Sequence, residues 1–64
     1  MTVFELIAAV RWDDVRMKII DSDECVRYDN TIGRFLQNGV EKFGWKYVEK
    51  FHGDADNGFV IQIA

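Results

Sequence analysis

Sixty-four residues suffice for one domain, and a chain this short buries only about 60% of the surface its unfolded form exposes, so its own core is marginal. Eight basic and eleven acidic residues leave a net charge of −3, which excludes the globally basic footprint of most nucleic-acid binders and is too small for a mimic of nucleic acid as a whole. A lone Cys25 cannot form an internal disulfide and fits a reducing compartment, read here as the cytosol, while no apolar run approaches the roughly 20 residues a membrane span requires.

Val3, Phe4, Leu6, Ile7 and Val10 recur at helical spacing. Thr2 and Glu5 form the pattern of a capping box, so the spacing predicts a short helix over 2–10. Residues 15–20 alternate with period two and are rich in branched side chains, which predicts a half-buried strand with Val15, Met17 and Ile19 inward. Asp21, Ser22, Asp23 and Glu24 are turn formers that lead into a second strand over 25–28, giving a hairpin. Asp29, Asn30 or Thr31 can cap the next helix, whose Ile32, Phe35, Leu36, Val40 and Phe43 form one apolar stripe. Gly39 costs a helix interior about 1 kcal/mol relative to Ala, so this helix is expected to end at Asn38-Gly39 in a left-handed cap, with a second short turn running to Gly44. A third strand is predicted over 45–52 and a fourth over 59–63, joined by a turn over 53–58 in which Asn57-Gly58 both tolerate positive φ. The expected fold is α+β, in the order α-β-β-α-β-β, with a four-stranded antiparallel sheet, one main helix and a short N-terminal helix.

The charges sort along this pattern. Arg16, Lys18, Arg27, Lys46 and Lys50 fall opposite the inward side chains, whereas Asp13, Asp14, Asp21, Asp23, Glu24, Asp54 and Asp56 crowd the connections. With Val26 and Tyr28 also facing the helices, the outer sheet face becomes a cationic strip. Such a strip can follow a phosphate backbone, with Trp12 or Trp45 for base stacking; an ordinary solvated sheet face carries Lys and Arg as well. Asp14, in phase with Arg16 and Lys18, places one carboxylate among the cations. It serves either to balance charge or, as a catalytic candidate, as a metal ligand or acid-base residue at a nucleic-acid backbone, where a divalent ion such as Mg or Mn would be needed to stabilise the leaving oxygen. His52 has no nucleophile or second histidine at a useful spacing, and Cys25, beside Glu24, reads as structural. Asp54-Ala55-Asp56-Asn57-Gly58 fails calcium-loop spacing and reads as a hairpin turn.

Forty-eight per cent of the residues are hydrophobic, including five Phe, two Trp and two Tyr. A homodimer or higher assembly is the expected way to cover that surface. The last strand, running to the terminus, is expected at a sheet edge, where Ile61, Ile63 and Ala64 would pair across a subunit boundary.

Val3-Phe4-Glu5-Leu6-Ile7, residues 15–21, residues 31–36 and Val48-Glu49-Lys50-Phe51 together resemble small proteins encoded by phages and prophages of gut bacteria. Some of these are anti-CRISPR inhibitors, and one such group resembles the single-stranded-DNA-binding transcriptional coactivator fold. The resemblance covers nearly the whole chain as short hydrophobic blocks rather than as a catalytic signature. It implies a counter-defence protein in the bacterial host cytoplasm that inhibits a type II CRISPR nuclease pathway through DNA or protein binding. The alternatives are the weak metal-dependent nicking enzyme centred on Asp14 and a structural or regulatory phage protein that binds only protein.

Overall fold

The computed structural model describes residues 1–10, 12–54 and 58–64. Its elements are α1 (Val3–Val10), β1 (Arg16–Ile20), β2 (Val26–Thr31), a second helical region made of α2 (Ile32–Arg34), a π-helical segment (Phe35–Gly39) and α3 (Val40–Phe43), then β3 (Val48–Asp54) and β4 (Gly58–Ile63). The α+β class and the expected order of elements hold.

The capping box at α1 is present in full. The Glu5 amide donates to Thr2 Oγ1 at 3.2 Å, and the Thr2 amide donates to Glu5 Oε1 at 2.9 Å. The bond from the Thr2 amide, and then one from the Thr2 hydroxyl to the same Glu5 Oε1 at 3.1 Å, favour the ionised carboxylate and hold the Glu5 carboxyl below its ordinary value. The helix buries Val3, Leu6 and Ile7 on one face, as their spacing requires.

The sheet is mixed rather than antiparallel. Its strand order is β2-β1-β4-β3. β1 and β2 form one antiparallel hairpin, β3 and β4 another, and β1 pairs with β4 in parallel. Parallel neighbours need a long crossover, which here is supplied by β2, the second helical region and β3. β4 is therefore central, not an edge. Ile61 and Ile63 are buried in the core, and Ala64 is exposed just past the strand. The expected subunit contact through Ile61, Ile63 and Ala64 has no free strand edge to use.

A bulge corrects the phase of β2. Tyr28 pairs with Ile19 but Val26 pairs with Ile20, so Arg27 is the extra residue. Tyr28 consequently faces the helices, where its ring meets Phe35 edge-on at 5.4 Å and Phe43 at 6.3 Å. Val26 faces the other way and is exposed.

Thr31 is the cap of the second helical region, its Oγ1 accepting from the Arg34 amide at 3.3 Å. The helix does not stop at Gly39. Gly39 keeps a right-handed conformation at φ −98°, and the Val40 amide bonds the Phe35 carbonyl, adding one residue to the turn. The missing side chain serves packing instead of a left-handed cap, because a Cβ at Gly39 would lie 2.7 Å from Phe35 Cδ1 and 3.2 Å from Tyr28 Cε2. Val3, Leu6, Ile7, Met17, Ile19, Ile32, Phe35, Ile61 and Ile63 form one core between the helices and the sheet.

β3 begins at Val48, later than expected. Residues 44–48 instead run beside the N-terminal segment: the Val3 amide donates to the Lys46 carbonyl at 2.9 Å, Phe4 to Gly44 at 3.0 Å and Val48 to Met1 at 2.8 Å. The central residues of the expected turn over 53–58, and with them the calcium-loop comparison, lie outside the described residues, but Gly58 has the positive φ, +75°, that the turn chemistry calls for.

Candidate interaction surfaces

Two surfaces stand out, one charged and one apolar. The charged one is the outer face of the sheet. Residues paired across strands share a face, so the register places Lys18, Val60 and His52 in one row across β1, β4 and β3, with Ile20, Gln62 and Lys50 in the next. The second row continues onto Val26 and the first onto Asp29. Val60 is buried under these neighbours although it faces away from the helices.

This face is less cationic than its sequence. Arg16 Nη2 meets Asp29 Oδ1 at 2.7 Å, and Asp29 is also the cross-strand partner of Lys18. The carboxylate on the face is thus Asp29, which sequence reasoning treated only as a helix cap. Its signal was strand phase, hidden because β2 runs on to Thr31. Asp14 sits in the turn before β1, where the Val15 amide bonds the Trp12 carbonyl, and not in the strand. Among the described residues no group of three or more His, Cys, Asp or Glu side chains could hold a metal ion, and Asp14 belongs to no such group.

Arg27 is also engaged, its Nε donating to Asp21 Oδ2 at 2.9 Å. Asp21 organises the hairpin: its Oδ1 accepts from the Cys25 amide at 3.0 Å and the Asp23 amide at 2.9 Å. The Cys25 amide above all holds the Asp21 carboxyl below its ordinary value; burial, next in size, opposes it, and the Asp23 amide and the Arg27 guanidinium add to the lowering. Cys25 itself is a free, exposed thiol. Lys46 is exposed in the bend before β3, away from the strip. Of the five cations expected together, Arg16, Lys18 and Lys50 share the face. Lys18 and Lys50 make no ion pair within 4 Å among the described residues.

The apolar surface lies where the N-terminal segment meets residues 44–48. Phe4, Val40, Glu41 and Trp45 line an open hollow of about 190 Å³. Trp45 is 78% exposed, Tyr47 70%, Met1 60% and Phe4 43%. Sequence reasoning assigned Trp45 and Tyr47 to a strand and Phe4 to a buried stripe. The missed signal is that α1 is apolar on more than one side, Phe4 standing beside Val3, Leu6 and Ile7. Trp12, 67% exposed in the loop before β1, and Trp45 belong to no strand of the sheet, so the rows that hold Lys18, Lys50 and His52 contain no tryptophan.

Among the described residues no helix is long and apolar enough to cross a membrane. Compared with known protein families, curated proteins and solved structures, the chain matches none.

Proposed function

We propose that the chain is a stoichiometric protein-binding inhibitor, a counter-defence protein that blocks a type II CRISPR nuclease by docking the outer face of its sheet on the nuclease. The observation that carries the binding mode is the make-up of that face. Lys18, Lys50 and His52 surround the buried Val60, and Ile20 and Val26 add an apolar flank. Charged groups beside an accessible apolar patch, here exposed Val26 and half-buried Ile20, are the anatomy of a protein interface. The counter-defence assignment and the identity of the target come from the resemblance of the sequence blocks to phage proteins.

Protein is favoured over DNA by magnitude. Tight backbone tracking takes about 6–10 phosphate contacts, each adding roughly 0.9 to the slope of affinity against salt. Lys18 and Lys50, with Arg16 held by Asp29, supply two or three, and the face lacks a tryptophan platform.

The test is direct binding of the purified protein to a purified guide-loaded type II nuclease, paired with plasmid cleavage. Lys18→Glu with Lys50→Glu, both surface changes, is expected to weaken binding and relieve inhibition at least tenfold while leaving the circular dichroism spectrum unchanged. Wild-type protein that neither binds nor inhibits the nuclease, or a double variant equal to wild type, contradicts the proposal. Tight binding to DNA alone at physiological salt would replace it with the nucleic-acid reading.

A further inference from the structure

We infer that the Phe4–Trp45 hollow is the contact between two copies of this chain, related by a two-fold axis. The inference goes beyond the proposed function, since it uses a different surface and stands or falls separately.

The patch is self-complementary. A two-fold interface presents the same surface twice, so it must carry both a recess and something to fill it. The recess is the apolar hollow of about 190 Å³ between Phe4, Val40 and Trp45. The filling is on its own rim, where the indole of Trp45 is 78% exposed and large enough to enter the partner's recess. The charges suit the same symmetry. Glu41 lines the hollow and the exposed Lys46 follows Trp45 in sequence, so each copy offers both signs on the segments that bound the hollow. The net charge of −3 opposes association only weakly, because exposed charges are screened beyond about 8 Å at physiological ionic strength.

Area points the same way. An aromatic side chain covers about 150–250 Å², so the exposed parts of Phe4, Trp45 and Tyr47 offer on the order of 400 Å². That is half of the roughly 800 Å² each partner contributes to a stable interface. Val40, which lines the hollow, and the aliphatic stem of Lys46, next to Trp45 in sequence, add to it, so the interface is small and the dimer is expected to be weak. The backbone here is firm, held by the hydrogen bonds of Val3, Phe4 and Val48 to Lys46, Gly44 and Met1, so little order is lost on docking. The sheet, in contrast, offers as edges only β2 and β3, and Met1 already covers the start of β3.

Sedimentation velocity on the full chain, from micromolar to several hundred micromolar, tests the inference. Wild type is expected to sediment as a dimer at the upper end and to dissociate on dilution, with tryptophan emission moving to the red as Trp45 is exposed. Trp45→Ala removes an exposed side chain and is expected to weaken dimerisation at least tenfold with its melting curve preserved. Lys18→Glu with Lys50→Glu is expected to dimerise like wild type. A wild-type monomer throughout that range, or a Trp45→Ala variant that dimerises as wild type does, overturns the inference. A monomer that still inhibits the nuclease would overturn it alone and leave the proposed function standing.

Discussion

At Gly39, helix propensity and packing pull in opposite directions. Replacing a helix-interior glycine by alanine ordinarily gains about 1 kcal/mol. Here the added Cβ would lie 2.7 Å from the Phe35 ring and close to Tyr28, and overpacking a core costs about 1–3 kcal/mol. Gly39→Ala is therefore expected to destabilise the fold by about 1 kcal/mol in urea unfolding, and a gain in stability would refute the packing account of the π-helical segment. Gly58→Ala should cost more, since φ is +75° and the new Cβ would fall against the Arg16 carbonyl. Gly53, with open space around its Cβ position, should accept Ala within about 0.5 kcal/mol. Asp21 and Glu5 are carboxyls with folded-state values below their ordinary ones, so each adds stability above the ordinary carboxylate range, near pH 4. That stability is lost as pH falls from there through the lowered values. Chemical unfolding across this window should show a shallower acid loss in Asp21→Asn than in wild type.

Among the elements, α1 depends on its cap: Thr2→Ala, by removing both side-chain bonds to Glu5, is expected to cost about 1 kcal/mol. On the sheet, Asp29→Asn removes an exposed ion pair worth at most about 1 kcal/mol but releases Arg16. It should raise DNA affinity at low salt, measured by fluorescence anisotropy, while changing the melting temperature little; unchanged affinity would mean that Asp29 does not mask the strip. The elements themselves were legible because their causes are local. The Thr2–Glu5 cap, the alternation of Arg16 to Ile20 and the Asp21 turn all act within a few residues. Three features had non-local causes. Which hairpin strands become neighbours depends on the path of the second helical region, so the parallel β1–β4 pair and the burial of Ile61 and Ile63 left no mark in either strand. The bulge at Arg27 follows from Tyr28 having to meet Phe35 and Phe43, and it turned Val26 outward. Gly39 stands inside the helical region as a packing residue, because the Phe35 and Tyr28 rings take the space its Cβ would need. The candidate surface was legible to the same degree: Lys18 and Lys50 followed from strand phase, but Asp29 entered the strip and Asp14 left it once the strand limits were known.

Taken as a whole molecule, the chain has its two surfaces on different faces of one core. The sheet presents Lys18, Lys50, Val60, Ile20 and Val26 outward, while the N-terminal segment and residues 44–48 present Phe4 and Trp45. A dimer joined through Phe4 and Trp45 would carry two sheet faces and could bind a target twice, which raises avidity where the geometry allows both to engage. Methyl groups mark the two surfaces separately. Ile20, Val26 and Val60 report the outer face, Val40 the hollow, and Ile7 and Ile61 the core. The most direct measurement is a methyl NMR spectrum of the labelled protein titrated with unlabelled guide-loaded nuclease. The proposal predicts shifts or loss of intensity at Ile20, Val26 and Val60, with Ile7 and Ile61 least affected. Changes confined to Val40, or none at a concentration that inhibits cleavage, would contradict the assignment of the sheet face as the surface that binds the target.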